Sequence, residues 1–415
     1  MVFKLSLRDF RVKVLIVFFT SCLIFILGER LGYSEGARGV SKNIIKIGAI
    51  IDQTGAAASV GIPIAEATKM YFRHINEQGG INGRNVKILI EDDHYTIPGA
   101  VSSFKKLVFK DRVLSILFSA GTGQTTVLLN QYKKEKVPVI TVSLAETMTN
   151  PVKRYIFTPT ASYDDGIKVI IDYIMKNKKK KKPKIVIVYP DVEFGKSGVV
   201  ATEKYLTNYN LKLSSKTVLA LSAFEASSQV LSLKRLNPDY IILHNAASAI
   251  IAFLKTAHKY GLKKQVFGTF YVSSEDTISI SGKASEGLLA VSPFTYWYDD
   301  NPGMNQLKKI VGKYQPNAKP KIRNFTQGWL TSMICAEGLK RAGKRLNPDS
   351  LVSAYETFKN WKTGGIASPI SYSKTDHKGG RGNILCKTDI KAKRFIPITK
   401  FREPKLMGTV SAIQK

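Results

Sequence analysis

Blocks of hydrophobic residues recur along the chain with two spacings, one typical of buried strands and one typical of helices. Residues 44–51 are a short run rich in isoleucine, which indicates a buried strand. Residues 64–75 repeat apolar side chains at helical spacing, and Gly79-Gly80 ends that helix. The same alternation predicts strands at 86–90, 114–118 and 137–142 and helices at 98–110 and 123–134. Strands and helices in this order predict a parallel sheet with helices on both faces.

A second series of the same kind follows Pro159. Predicted helices at 164–175, 194–206, 224–236 and 246–260 alternate with predicted strands at 184–189, 212–219, 240–243 and 265–267. An extended segment at 287–291 leads to helices at 304–314, at 324–342 and from Pro348, and then to a hairpin of strands at 383–387 and 395–399. This second series predicts another α/β unit of similar size.

The predicted fold class is α/β, with two doubly wound parallel-sheet lobes joined by a three-segment hinge. We expect the hinge crossings near Pro159, Pro293 and residues 366–369. The division is lobe 1 at 44–158 and 293–365, lobe 2 at 159–292 and 366–401, and a tail at 402–415. Open α/β sheets bind ligands at the carboxyl ends of their strands, so two facing lobes predict a cleft that closes on a ligand.

The first 36 residues have the pattern of a secretory signal peptide. Basic residues at positions 4, 8, 11 and 13 precede an apolar stretch at 14–27, which is shorter than the ~20 residues that a membrane-spanning helix needs. We expect cleavage between Gly28 and Gly39 and a periplasmic protein. Two alternatives stay open: Phe19-Thr20-Ser21-Cys22 faintly resembles a lipoprotein attachment site, or the stretch stays uncleaved as an anchor.

The chain is strongly basic, because 63 Lys and Arg residues stand against 31 Asp and Glu residues, a formal net charge of +32. Such a balance raises nucleic acid as a partner. However, the lysines are scattered over predicted helix faces and loops, and the densest run, 178–182, falls in a predicted turn. We interpret the charge as a basic surface without a nucleic-acid partner, although it could attract anionic solutes or lipid headgroups.

Residues that could catalyse a reaction or bind a metal are dispersed. The histidines lack ligand spacing, and no phosphate-binding loop is present. His94 follows three acidic residues, 91–93, which we interpret as a solvated loop. Cys335 and Cys386 are expected to be buried free thiols or one disulfide. The sequence therefore predicts no enzyme activity, no catalytic residues, no metal and no cofactor.

Short motifs of glycine, aromatic and acidic residues follow the predicted elements in order. They are Ile47-Gly48-Ala49-Ile50-Ile51-Asp52-Gln53-Thr54-Gly55, Asn76-Glu77-Gln78-Gly79-Gly80-Ile81-Asn82-Gly83-Arg84, Gly121-Thr122-Gly123-Gln124, Asp191-Val192-Glu193-Phe194-Gly195, Gly328-Trp329 with Gly338-Leu339-Lys340-Arg341-Ala342-Gly343, and Thr375-Asp376-His377-Lys378-Gly379. Over residues 44–398 this series resembles branched-chain amino-acid-type (Leu/Ile/Val-binding-protein-like) periplasmic solute-binding proteins of ABC transporters. The stretch at 76–84 is the most specific of the matches.

The resemblance implies a monomeric substrate-binding component of an ABC importer with the type I periplasmic binding fold. Its partners would be a small-molecule ligand, such as an amino acid, an amide or an organic acid, and the membrane permease subunits. The alternative is a periplasmic sensing module that feeds a two-component or chemotaxis receptor.

The resemblance also implies ligand contacts at positions that follow predicted strands. They are Thr54, Gly55, Thr122, Gln124, Ser143, Ala145, Phe194, Asn245, Phe270 and Tyr271. Thr122 and Gln124 would bind a carboxylate or amide at a helix start, and Phe194 would cover the ligand from lobe 2. For Thr122, Ser143 and Asn245 a helix cap is an open alternative, and for Phe194 a place in the core.

One departure from the family pattern bears on the ligand. Members that bind α-amino acids place a carboxylate on lobe 2 beside the ligand ammonium, whereas this chain has Thr269-Phe270-Tyr271 there. Burying an unpaired ammonium is costly. Glu275 and Asp276 are close in sequence, but a position at a helix N-terminus explains them equally well. We therefore predict an amide, or an aromatic or aliphatic carboxylate, rather than a branched-chain amino acid.

Overall fold

The computed structural model describes residues 37–119 and 121–404. The predicted signal peptide and most of the predicted tail lie outside these described residues. Within them, none of the helices combines the length and hydrophobicity that crossing a bilayer requires.

The first sheet contains five parallel strands in the order β2-β1-β3-β4-β5. They are β1 (Ile44–Ile50), β2 (Asn85–Glu91), β3 (Ser115–Leu117), β4 (Val139–Ile140) and β5 (Ile156–Phe157). The helices between them are α1 (Ala58–Glu77), α2 (Ile97–Lys105), which continues as a π-helical turn at Lys106–Lys110, and α3 (Thr122–Lys134). Register is set by β1, where Ile47 pairs with Ile88 of β2 on one side and with Ser115 of β3 on the other.

The second sheet contains seven strands in the order β12-β11-β10-β9-β8-β6-β7. They are β6 (Ile185–Tyr189), β7 (Ser215–Val218), β8 (Tyr240–Leu243), β9 (Gln265–Gly268), β10 (Leu289–Ser292), β11 (Ile384–Asp389) and β12 (Arg394–Pro397). Its helices are α4 (Tyr163–Asn177), α5 (Glu193–Leu206), α6 (Ser227–Leu236), α7 (Ala247–Lys259) and α8 (Glu275–Ser281). The predicted terminal hairpin, β11 and β12, is confirmed, and β11 pairs antiparallel with β10.

Three late helices return to the first sheet. They are α9 (Pro302–Tyr314), α10 (Arg323–Ala342) and α11 (Pro348–Tyr355). Met304, Phe325 and Tyr355 belong to the same hydrophobic core as strands β1 to β5, whereas the second sheet has a separate core on each face. Gly328 lets α10 cross α1 closely, because a Cβ there would lie 2.6 Å from the Ile64 carbonyl oxygen.

The chain therefore passes three times between the two sheets: after β5, after β10 and before β11. Single bridges tie the crossing segments together, Thr158 to Lys378 and Phe294 to Ala367. Two α/β lobes, with sheets that are parallel apart from strands β11 and β12, confirm the predicted fold class. The residue numbers at which one lobe gives way to the other stay a prediction.

Side-chain caps mark the starts of several helices. Ser162 and Asp165 form a capping box at the start of α4, and Asn347 with Ser350 forms another at α11, where Pro348 opens the helix as predicted. Strand β5 was not predicted, because two residues carry no periodicity, and α8 was anticipated only as a helix N-terminus at Glu275 and Asp276, because Ser274 to Ser281 is mostly polar. Cys335 and Cys386 are both buried free thiols, and burial raises the pKa of each to about 12.

Candidate functional site

A cavity, partly open to solvent, lies between the carboxyl ends of the two sheets. Most of its wall consists of residues that directly follow a strand of either sheet, together with the first turns of α1. The lining residues are Ile50, Ile51, Asp52, Ala57, Val60, Gly61, Ile64, Tyr95, Phe118, Gly121, Thr122, Val142 and Ser143 from the first lobe, and Tyr163, Phe194, Leu221, Ala246 and Tyr271 from the second. The strand ends of both sheets thus face one shared space, as two facing lobes require.

The floor of the cavity in the first lobe is organised by Asp52. Its side chain is 2% exposed, and its carboxylate accepts backbone N–H groups from Thr54 at 3.2 Å, Gly55 at 2.5 Å and Ala57 at 2.6 Å. Helix α1 starts directly against this turn, because Gly61 leaves no space for a Cβ, which would lie 1.7 Å from the Asp52 carbonyl oxygen. Both carboxylate oxygens are therefore occupied by the loop itself.

Thr54 and Gly55 are held in this loop rather than in the cavity wall. The Thr54 hydroxyl donates to Asp92 at 2.8 Å and lies 2.6 Å from the Nδ1 atom of His94. Their neighbours Asp52 and Ala57 line the cavity instead. The prediction thus found the correct loop, while the structure brings other residues of that loop to the cavity.

The hydroxyl groups of Thr122 and Ser143 form the polar part of the first-lobe wall. Their oxygen atoms are 2.9 Å apart, and both side chains are buried. The N-cap of α3 is Gly121, with a φ of 63°, so the Thr122 side chain does not cap the helix. Ala145 follows at the next turn and its N–H lies 3.5 Å from the Ser143 hydroxyl, but it does not line the cavity.

An aromatic cluster forms the wall from the second lobe. Phe194, at the start of α5, is 5% exposed and has its ring 4.3 Å from His244, 5.3 Å from Tyr163 and 5.6 Å from Tyr271. His244 is fully buried, with its Nδ1 atom 2.8 Å from the Thr269 hydroxyl, and burial lowers its pKa to about 4. The imidazole is therefore neutral at pH 7, and the cluster presents an uncharged surface.

Tyr271 reaches across to the first lobe. Its hydroxyl lies 3.4 Å from the Val142 carbonyl oxygen and 3.5 Å from the Tyr163 hydroxyl. Phe270 packs behind it at 4.6 Å between ring centroids. Asn245 is fully buried, with its side chain hydrogen-bonded to Leu219 and to the N–H of Ala246, the residue that does line the cavity.

A groove, open to solvent, continues from the cavity to the surface between the lobes. It shares Tyr95, Phe194 and Leu221 with the cavity and includes Gln124, whose side-chain amide donates to the Tyr95 carbonyl at 2.9 Å. Ile97 and Val218 stand at its rim on opposite lobes, and both are exposed. This groove is the entrance to the cavity.

Of the predicted ligand contacts, Thr122, Ser143, Phe194 and Tyr271 line the cavity and Gln124 lines the groove. The remaining five lie within the same loops but point elsewhere. Sequence reasoning missed Tyr95, Tyr163 and Leu221. Tyr95 and Leu221 follow β2 and β7, so applying the strand-end rule to every strand would have found them.

Three acidic side chains, Asp52, Asp92 and Asp93, have ligand atoms within 4.8 Å of one another and could approach a cation. The loop itself accounts for most of this arrangement, because each carboxylate already accepts at least one backbone N–H. Burial raises the pKa of Asp93 to about 6. The cluster therefore holds two loops of the first lobe together at the cavity floor.

The cavity is almost without charge. Among its described lining residues Asp52 alone is ionisable as an acid or base near neutral pH, and its oxygens are already hydrogen-bonded. Its polar groups are hydroxyls from Thr122, Ser143 and the tyrosines. Such a wall accepts a small molecule with an apolar body and few polar groups.

A sequence comparison identifies the family. The profile described as "Periplasmic binding protein" matches residues 44–389, which is most of the chain. The chain belongs to the periplasmic binding protein family. The prediction that it is not an enzyme is confirmed, because its relatives in this family are substrate-binding proteins of ABC transporters.

Two curated relatives are binding proteins of the branched-chain amino-acid type that the sequence motifs resemble. The chain is 24% identical to the Leu/Ile/Val-binding protein of Escherichia coli (strain K12), over 61% of this chain and 68% of that protein. It is 22% identical to a leucine-, isoleucine-, valine-, threonine- and alanine-binding protein of Pseudomonas aeruginosa, over 76% of this chain and 83% of that protein.

Solved structures show the same fold. A branched-chain amino acid ABC transporter protein from Thermus thermophilus, with bound valine, superposes with a TM-score of 0.81 at 24% identity, covering 88% of this chain and 97% of the other. A fatty acid ABC transporter substrate-binding protein from Thermomonospora curvata superposes with a TM-score of 0.80 at 21% identity, covering 89% and 95%.

Proposed function

We propose that this chain is the substrate-binding component of an ABC importer, which captures a small organic ligand between its two lobes and delivers it to membrane permease subunits. The observation that carries this proposal is the single cavity between the carboxyl ends of both sheets, with walls from both lobes. A ligand in it would contact both lobes at once and so would favour the closed form.

The proposed ligand is an aliphatic or aromatic carboxylate, or an amide, rather than a branched-chain amino acid. The second-lobe wall consists of Tyr163, Phe194, Leu221, Ala246 and Tyr271, without a carboxylate among these residues. An α-ammonium group placed there would be buried without a partner, which is costly. The names of the structural relatives include both amino-acid and fatty-acid binders, so the fold accommodates either class.

The proposal includes a periplasmic location, reached through the N-terminal export signal, and function as a monomer. The named relatives are transport proteins, which favours import over sensing.

A matched set of ligands tests the proposal. Leucine, 4-methylpentanoate and 4-methylpentanamide share one aliphatic body and differ only in the polar groups, and a series of linear and aromatic acids with their amides extends the set. Micromolar affinity corresponds to about −8 kcal/mol, and a ligand at about 100 times its Kd stabilises the folded state by about 2.7 kcal/mol. Thermal unfolding should therefore shift upwards with a carboxylate or an amide. A strong shift with leucine and none with the acids and amides would contradict the proposed ligand class.

A further inference from the structure

Two side chains on helix α10 are buried with polar atoms that lack a hydrogen-bond partner among the described residues. Arg323 is 0% exposed, and its Nε and Nη1 atoms make no hydrogen bond within the described part of the chain. Gln327, one turn later, is also 0% exposed; among residues 37–119 and 121–404 its amide lies close to the Tyr271 hydroxyl, but neither amide atom makes a hydrogen bond of normal geometry. Burying a guanidinium with free N–H groups is costly, and so is burying a whole amide. Such a pair indicates a place where a further group binds.

Both residues lie directly behind the cavity wall. On one side, α10 packs on the start of α1, with Asn324 hydrogen-bonded to the Ser59 carbonyl and Gly328 in contact with Ile64, a cavity residue. On the other side, the Arg323 guanidinium lies 4.0 Å from the ring centroid of Phe270 and 6.0 Å from that of Tyr271, another cavity residue. Gln327 follows Arg323 at i+4 and so shares its helix face.

The neighbouring acid does not satisfy the guanidinium. One oxygen of Glu275 accepts the backbone N–H of Arg323 at 2.9 Å and so caps α10 from the second lobe. The other oxygen of Glu275 has no hydrogen-bond partner among the described residues. Among the described residues, the guanidinium donates one hydrogen bond, from Nη2 to the Asn324 side-chain oxygen at 2.6 Å. Two donor atoms of Arg323 therefore remain unpaired close behind Tyr271, a residue of the cavity wall.

We propose that Arg323 and Gln327 recognise the carboxylate of the ligand, and that the Tyr271 side chain, which separates them from the cavity, moves aside as the ligand binds. This assignment rests on the proposed function and narrows its ligand class from acids or amides to acids. A guanidinium binds a carboxylate through charge-assisted hydrogen bonds, and the Gln327 amide adds a further donor. The apolar body of the acid would then lie against Phe194, Leu221 and Ile64.

Calorimetric titration of matched acids and amides, with the full chain and with variants, tests the assignment. Arg323→Met removes the guanidinium and keeps an unbranched apolar side chain, and Gln327→Met removes the neutral amide at nearly the same side-chain length. Lys321→Met is the matched control, because it removes one positive charge two residues earlier, where the lysine pairs with Glu66 at 2.7 Å. The unfolding of each protein without ligand is measured alongside.

In the unmodified protein the acid should bind more tightly than its amide. Arg323→Met should weaken binding of the acid by about 10- to 100-fold and of the amide much less, since the loss comes from charge-assisted hydrogen bonds. Gln327→Met should weaken the acid less than Arg323→Met, and Lys321→Met should leave both affinities unchanged. Because an unpaired buried charge does not stabilise the fold, Arg323→Met should unfold at the same temperature as the unmodified protein, or higher, without ligand.

Three results would overturn the assignment. Equal affinity for acid and amide, with Arg323→Met binding both normally, would remove Arg323 from recognition and leave the import function standing. A large loss of unliganded stability in Arg323→Met, with the preference for acid retained, would make Arg323 a structural residue. If none of the acids and amides bound to the unmodified protein, the proposed function itself would be wrong, and this assignment would be wrong with it.

Discussion

Replacing Phe194 by leucine tests whether the aromatic wall of the second lobe contacts the ligand. The phenyl ring meets His244, Tyr163 and Tyr271 at centroid distances of 4.3, 5.3 and 5.6 Å, and it lines both the cavity and the groove. Aromatic pairs of this kind contribute about 0.5–1.5 kcal/mol each beyond their area burial, so we expect the free energy of unfolding to fall by about 2 kcal/mol. Because the phenyl ring no longer covers the ligand, Phe194→Leu should bind it about tenfold more weakly than the unmodified protein does, which corresponds to about 1.4 kcal/mol.

The control for Phe194→Leu is Phe267→Leu. Phe267 lies in the core of the second sheet, is 1% exposed and has ring contacts with Tyr173 and Tyr240 at 6.0 and 6.1 Å. Urea unfolding and calorimetric titration with the best-binding acid would be measured for both variants. Both should lose stability, and only Phe194→Leu should lose affinity. Equal affinities in the two variants would refute the place of Phe194 in the binding site.

Three further substitutions test a buried ion-pair cluster, the titration of a buried acid and a close contact of α1. Lys378→Met should lower the free energy of unfolding, measured in urea, by about 3–5 kcal/mol. The reason is that the carboxylates of Glu146 and Asp165, which lie 2.8 and 2.9 Å from the lysine nitrogen, lose their partner. The exposed Lys374→Met should leave stability unchanged, and equal stabilities of the two variants would contradict this prediction. Burial raises the pKa of Glu275 from 4.5 to about 7, so its stabilising effect is complete below pH 4.5 and is lost as the pH rises through about 7. Over that pH range the free energy of unfolding of the unmodified protein should fall by up to about 3 kcal/mol relative to that of Glu275→Gln. Stability curves against pH that run parallel for the two proteins would contradict this prediction. Gly61→Ala should destabilise the fold by about 1–3 kcal/mol, because the added Cβ would meet the Asp52 carbonyl oxygen. The control Gly312→Ala, which adds its Cβ in open space on α9, should stabilise the fold by about 0.5–1 kcal/mol. Thermal unfolding of both variants tests this, and an unchanged stability of Gly61→Ala would show that α1 can shift.

Most of the fold could be predicted from the sequence because burial leaves a periodic pattern. Strand β1 has buried isoleucines at positions 45, 47 and 50, and α10 shows apolar residues at helical spacing over 20 residues, so both were found within one or two positions. The predicted strand at 137–142 shortened to Val139–Ile140, since the ends of a strand depend on pairing with neighbours rather than on its own residues.

The candidate site was predicted less completely, because a cavity is lined by whichever side chains the tertiary structure turns towards it. The strand-end rule found the correct loops, yet in the first of them Asp52 faces inwards while Thr54 bonds to Asp92. Arg323 could not be found in this way, since it begins a helix that packs on the first lobe, and its importance lies in the absence of a partner among the described residues. Nothing in the sequence pattern distinguishes it from an arginine on the surface.

The distance between the two rims of the groove tests the account most directly. Spin labels at positions 97 and 218, on the first and second lobes, would replace side chains that are 48% and 45% exposed, and pulsed electron paramagnetic resonance would measure their separation with and without a bound acid. Ligand should shorten the mean distance and narrow its distribution, because the bound molecule contacts both lobes and favours the closed form. A distance distribution that stays the same at saturating ligand would contradict capture by closure.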